Sequence, residues 1–184
     1  MKRIIARIVL AAVLALGMTS ALGEALTQTF ATGYFTLDIP GDWEIDTSDL
    51  DKEDGYEELG DIYASGKGGM VIETGLVTYE NLKDISLWNA DEATMQSYID
   101  SVLSDYADDH AEYVDTIRAG SIPFVAFKCQ DEDGPYYYLD TMTNGYAIEF
   151  FAYVLDEDGE TMMEPTAADW ALLQRIVTSF KPVT

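Results

Sequence analysis

Two acidic side chains, Asp140 and Glu149, flank the dipeptide Asn144-Gly145 at distances that could bring them together. Asn-Gly between two runs of β-branched and aromatic residues is a strong signal for a two-residue hairpin, because both residues tolerate the positive φ that a type I′ turn demands. Counting back from that turn pairs Thr143 with Tyr146, Leu139 with Phe150 and Tyr137 with Ala152, and it sets Asp140 directly opposite Glu149. Tyr136 then faces Tyr153 and Tyr138 faces Phe151 on the same side of the pleat. Like charges opposed across a ladder repel. Two such carboxylates can share a proton, hold a cation or act as an acid and base pair. Aromatic rings beside them suit a sugar or a cationic ligand. The candidate ligand-binding residues are therefore Tyr136, Tyr138, Asp140, Glu149 and Phe151. The plainer alternatives are a solvated face, or neutralisation by Lys128 or Arg118 of the neighbouring strand. A solvated face is the expectation adopted.

The second chemical candidate is the acidic run from Asp46 to Asp61. Calcium takes six to eight oxygens, and Asp49, Asp51 and Glu53 alternate as ligands would. With Asp54 they form the candidate metal set, and calcium is the one cofactor this chemistry admits; a solvated acidic loop with no cofactor is the expectation adopted. An EF-hand counted from Asp49 needs glycine at its sixth position, where Asp54 stands and Gly55 comes one residue late. Nucleophilic catalysis has little to draw on. His110 is the only histidine, it follows the end of a helical stripe, and no G-x-S-x-G elbow is present. One histidine and one cysteine cannot supply a usual zinc set. Cys129 reads as a small apolar filler in a strand. Gly66-Lys67-Gly68-Gly69 lacks phosphate-loop spacing and reads as a hairpin tip.

The elements that must position these groups follow from periodicity. The run Tyr146 to Leu155 is apolar on nearly every position, which predicts a central strand covered on both faces. Tyr113 to Ala119, Ile122 to Gln130 and the hairpin strands make an antiparallel meander. Phe35 to Ile39 alternates, Pro40-Gly41-Asp42 turns it, and Trp43 to Ile45 starts another strand; Ile62 to Ser65 and Met70 to Val77 form a pair. Asp46 to Asp61 has no apolar period and reads as a loop. Asn89 with Glu92 predicts a capping box opening a helix whose stripe is Met95, Tyr98, Ile99, Val102, Leu103 and Tyr106. Thr166 predicts the N-cap of a last helix with Trp170, Leu173, Ile176, Val177 and Phe180 buried on one face and Pro182 stopping it. The fold class expected is α+β: a single antiparallel sheet with two amphipathic helices packed on it.

Residues 1–25 read as a secretory signal peptide, with Lys2, Arg3 and Arg7 before a short apolar run and small residues after it. Residues 26–184 read as one domain. The chain carries 34 Asp and Glu against 10 Lys and Arg, a net charge of −24. Three of the basic residues lie in the leader. Such a surface repels nucleic acid and anionic lipid, and no stretch after the leader suits membrane insertion. A secreted or envelope-associated location is expected.

The stretch Phe35-Thr-Leu-Asp-Ile-Pro-Gly-Asp-Trp43 and the closing helix Trp170-Ala-Leu-Leu-Gln-Arg-Ile-Val-Thr-Ser-Phe180 resemble the corresponding parts of PsbP-like domains. The central helix and the meander lie between them in the matching order. That superfamily includes an extrinsic subunit of photosystem II, a nuclear factor that binds the GTPase Ran, and many exported bacterial proteins. The resemblance implies an architecture and a leaning towards non-catalytic binding or assembly. It carries over no functional residues, since the matching positions are core and turn positions. The function expected is thus an exported, non-enzymatic binding or assembly module with a protein or small-molecule partner. The alternative is a small hydrolase using Asp140 and Glu149.

Overall fold

The computed structural model of the chain describes residues 24–48 and 50–183. The expected leader and Asp49 therefore lie outside the described residues, apart from the leader's last two positions. Among the described residues no helix is long and apolar enough to cross a membrane.

The meander is the centre of the molecule. Strands β7 (Glu112–Ala119), β8 (Ile122–Gln130), β9 (Pro135–Thr143) and β10 (Tyr146–Leu155) pair consecutively and antiparallel. β6 (Gly69–Thr78) pairs along the other edge of β10, and β5 (Tyr56–Tyr63) and β3 (Glu44–Asp46) continue the sheet outward. Two short strands join at the margins: β4 (Lys52–Glu53) on β5 and β11 (Met162–Met163) on β10, completing a nine-stranded sheet. The hairpin register is the expected one, with Asp140 opposite Glu149 and Tyr138 opposite Phe151. Asn144 and Gly145 sit at φ +52° and +80°, the signs a type I′ turn needs.

The single sheet expected is corrected to two. β1 (Leu26–Ala31), β2 (Phe35–Pro40) and β12 (Lys181–Pro182) form a separate three-stranded sheet. β2 is drawn off the large sheet because its inward residues Phe35, Leu37 and Ile39 are wholly buried against the large sheet's face, while its edges pair with β1 and with the chain's end. Phe35 packs 5.6 Å from Phe150 and 5.3 Å from Phe180. Pro182 does not stop the last helix, α2 (Ala167–Thr178); it lies beyond the helix end, in β12.

The acidic run expected as a loop is in part strand. β4 and β5 as far as Asp61 lie within it, pinned by the Lys52–Glu57 ion pair at 2.6 Å and a bulge between Glu58 and Gly60. The ladder partner β6 dictates this pairing, and no apolar alternation marks it in the sequence. The central helix α1 (Glu92–Asp105) also begins differently. Its N-cap is Asp91, whose carboxylate accepts from the Thr94 N–H at 2.8 Å; Asn89 instead ends a 3₁₀ turn (Leu87–Asn89) held by the buried Leu87. Thr166 is the N-cap of α2 as expected, and it closes a capping box with Asp169 that the sequence reading did not foresee.

The helices cover opposite faces of the large sheet. α2 and the small sheet cover one, over Phe124, Leu139, Phe150 and Ala152. α1 covers the other through Ile99 and Val102, over Val125, Phe127, Tyr138 and Ala147. Phe180, Leu173, Ile176 and Val177 are buried as expected, whereas Trp170 is only partly buried, its ring 4.7 Å from Tyr137.

A candidate ligand site beneath the central helix

The α1 face carries Asp140 and Glu149, and the expectation of a solvated face is wrong. Asp140 is 1% exposed and Glu149 is 5% exposed. What covers them is a set of tyrosines supplied from three directions. Tyr98 comes down from α1 and donates its hydroxyl to Asp140 Oδ2. Tyr138, two residues along β9, reaches both carboxyls with one hydroxyl, at 3.0 Å to Glu149 Oε1 and 3.4 Å to Asp140 Oδ2. Tyr106, from the residue after α1, stacks on Tyr138 at 4.7 Å. On the far side of Glu149, the Tyr56 ring lies over Gly75, where a Cβ would meet it at 2.9 Å.

Among the described residues no basic side chain reaches the pair. Lys128 sits opposite Tyr137 on the other face and pairs with Glu164, and Arg118 is exposed on β7, two strands away. Burial therefore decides the ionisation. It pushes Asp140 up to about 7, opposed by the Tyr98 hydrogen bond, reinforced by the charge of Glu149, and opposed again by Tyr138. It pushes Glu149 up to about 7 as well, with the phenols of Tyr138 and Tyr79 opposing. With no salt bridge at the pair among the described residues, burial favours the protonated carboxyls. Asp140 Oδ1 is buried and has no hydrogen-bond partner among the described residues.

Directly above this network lies a cavity of about 330 Å³ between α1 and the sheet. Tyr98, Tyr106 and Tyr138 line it, with Val102 and Met142 beside them. The carboxyls themselves do not line it; they lie behind the phenols that hold them. The outer wall is the segment from Tyr79 to Leu87, which no strand or helix periodicity marks in the sequence. The hairpin tip fixes that wall. Tyr79 N–H donates to Gly145 O at 2.7 Å, Asn144 N–H donates to Ile85 O at 2.9 Å, and Ser86 bridges Thr143. Gly145 must be glycine here, since a Cβ would stand 2.8 Å from the Tyr79 carbonyl.

Of the residues singled out in the sequence, the structure gathers Tyr138, Asp140 and Glu149, with Phe151 packed 5.1 Å from Tyr138. Tyr136 stands apart and donates to Asp109 at 2.9 Å. Tyr79, Tyr98 and Tyr106 are the functional candidates that sequence reasoning missed. Two of them sit on the apolar stripe of α1, and a phenol on a buried stripe needs a polar partner; that was the available signal.

The other candidates lie elsewhere. Asp51, Glu53 and Asp54 are exposed around the β4–β5 turn, and Lys52 between them is drawn to Glu57. Among the described residues no three His, Cys, Asp or Glu side chains gather as a metal set. His110 is exposed at φ +51° in a shallow depression with Asp108, Asp109 and Asp131. Cys129 is buried in β8, and burial pushes its thiol up to about 11.

Against solved structures, the solution structure of cyanobacterial PsbP from Synechocystis sp. PCC 6803 superposes on 85% of this chain and 92% of its own, at 13% identity and a TM-score of 0.50. The fold is PsbP-like. A crystal structure from Bacteroides thetaiotaomicron VPI-5482 is also similar, at 13% identity and a TM-score of 0.47 over 87% of this chain; this chain spans about half of that one. No protein-family model matches the sequence, and no curated protein matches it. At such identity the PsbP-like likeness concerns architecture alone, and the site must be read from its own chemistry.

Proposed function

We propose that this PsbP-like domain is an extracytoplasmic, non-enzymatic binding module whose ligand site is the cavity beneath α1. The cavity carries the reading: a concave, mainly apolar space of about 330 Å³ with convergent phenol hydroxyls at its floor. Ser97 and Ser101, both exposed on α1, mark its mouth. The extracytoplasmic placement rests on the leader-like residues at the start of the chain.

The raised carboxyls Asp140 and Glu149 favour the rival reading, a hydrolase, because displaced pKa values accompany acid and base catalysis. Geometry weighs against it. A general acid or base must reach the group it protonates, directly or through one water. Both carboxyls here are sealed behind Tyr98 and Tyr138, so their work is to hold the phenols.

A plug at the mouth tests the site. Ser101→Trp adds bulk at an exposed helix position and should leave the fold and its melting temperature nearly unchanged. A small-molecule library screened by thermal shift should yield compounds that stabilise the wild type and lose their effect on Ser101→Trp, since binding to the native state alone raises stability. Hits that stabilise both proteins equally would place binding elsewhere.

A further inference from the structure

We propose that the cavity beneath α1 takes a small organic cation with an aromatic or apolar body, its ammonium lying against the hydroxyls of Tyr98 and Tyr138. This rests on the reading of the cavity as the ligand site and names the chemical class of its ligand.

The walls are the first observation. Among the described residues no Lys, Arg or His lines the cavity, and its one charged lining group is Asp105. Leu82, Leu87, Val102 and Met142 offer hydrocarbon to an apolar body. The phenol rings of Tyr79, Tyr98, Tyr106 and Tyr138 offer faces that attract positive charge.

The hydroxyls are more discriminating than the rings. A phenol has a single proton to donate. Tyr98 and Tyr138 both direct theirs at the buried carboxyls. Their oxygens are left with lone pairs, and donation to a carboxylate makes them better acceptors. A ligand meeting these groups must bring the donors, as an ammonium does. A carboxylate or phosphate ligand would bring only acceptors to these lone pairs and would face the Asp105 carboxylate at the wall. Asp140 Oδ1 adds a second, independent sign: a buried acceptor without a partner, one layer behind the wall, is stabilised by a positive charge held in the cavity. The chain's net charge of −24 also raises the local concentration of cations.

Three probes with one aromatic body separate the possibilities: phenethylammonium, 2-phenylethanol and 3-phenylpropionate. Titrated at neutral pH by calorimetry, the amine should bind the wild type at least about tenfold more tightly than the alcohol, the scale of a partly desolvated cation–π contact. The carboxylate should not bind. Ser101→Trp should abolish amine binding, and Ser104→Trp, exposed on the same helix outside the cavity lining, should preserve it. Asp105→Asn should weaken the amine and leave the alcohol unchanged. Alcohol or carboxylate binding as tight as the amine, and lost in Ser101→Trp, would overturn the cation inference while keeping the cavity as a site. Amine binding that survives Ser101→Trp would overturn the site and the inference together. No amine binding to the wild type would overturn the inference, leaving the site to the library screen.

Discussion

The two faces of the large sheet meet helices of comparable length, 12 residues in α2 and 14 in α1, and are sealed by different chemistry. Under α2 the contact is dry hydrocarbon. Phe124 and Phe150 stack at 5.3 Å, Phe180 meets Phe124 edge-on at 4.9 Å, and Leu173 and Ile176 close over them. Under α1 the same strands present Tyr138, Asp140 and Glu149, and the helix answers with Tyr98 and an imperfect fit that leaves a cavity. Apolar packing needs only complementary shape. A buried carboxyl pair needs every partner in place, and leaving one oxygen unpaired lowers stability. The difference teaches a division of labour: the α2 face holds the domain together, and the α1 face gives up stability to keep a polar, partly open space.

The largest expected effect lies on the dry face. Phe150→Ala should lower stability by about 3–5 kcal/mol in denaturant melts, because a fully buried aromatic leaves a cavity. Trp170→Ala should cost less, its side chain being only partly buried. A Phe150→Ala protein with an unchanged midpoint would break the claim that this face is the structural core.

Tyr98→Phe comes next. It removes the donor to Asp140 and should cost roughly 1.5–3 kcal/mol at pH above 7, where the carboxyl is charged. The lost bond had been lowering the Asp140 pKa, so the variant's deficit should shrink on acidification. A deficit independent of pH would mean the Tyr98 contact is packing alone.

Gly145→Ala should cost roughly 1–2 kcal/mol from the left-handed backbone alone, and more from the close Tyr79 carbonyl. Hydrogen exchange should show the Tyr79 to Leu87 wall opening more readily in the variant than β10 does. Equal protection would show that the turn does not hold the cavity wall.

The smallest effect concerns the acidic run. Calcium and magnesium at equal concentration should each raise the melting temperature slightly and alike, through charge screening around Asp51, Glu53 and Asp54. A large calcium-only shift would reveal a specific site there.

Much of this frame was legible in residue order, and the reason is locality. The turn chemistry of Asn144-Gly145 set a register, and the register alone placed Asp140 against Glu149. The stripes of α1 and α2 announced buried faces. What the order of residues could not show was which face each stripe would cover. Tyr136, Tyr138, Asp140 and Glu149 look like the wet side of an amphipathic hairpin until Tyr98, Tyr106 and the Tyr79 segment arrive from roughly 30 to 60 residues away along the chain. The small sheet was hidden for a similar reason. β12 is only two residues long and pairs with β2 from the other end of the chain.

The central claim is that in the unliganded domain Asp140 and Glu149 are buried and take up protons more readily than ordinary carboxyls, with no Lys, Arg or His beside them among the described residues. Both carboxyls are raised in the folded state, so the native protein holds protons that the unfolded chain releases near pH ~4. Their contribution to stability is fully present below that value and is lost as pH rises through about 7. Among the described residues the groups facing the pair are the phenols Tyr56, Tyr79, Tyr98, Tyr106 and Tyr138, with Asp105 at the cavity rim, and no Lys, Arg or His is among them. Surface repulsion among the many acidic residues adds its own slope, but it is nearly common to the wild type and Asp140→Asn and so largely cancels between them. The decisive measurement is unfolding free energy against pH, from about 4 to 8, for these two proteins. The prediction is that wild-type stability falls more steeply with rising pH and that Asp140→Asn, which keeps an acceptor for Tyr98 and has no charge to bury, overtakes it near neutrality. Parallel curves, or a variant that loses most at high pH, would contradict it and would mean that the pair is held ionised by a positive partner.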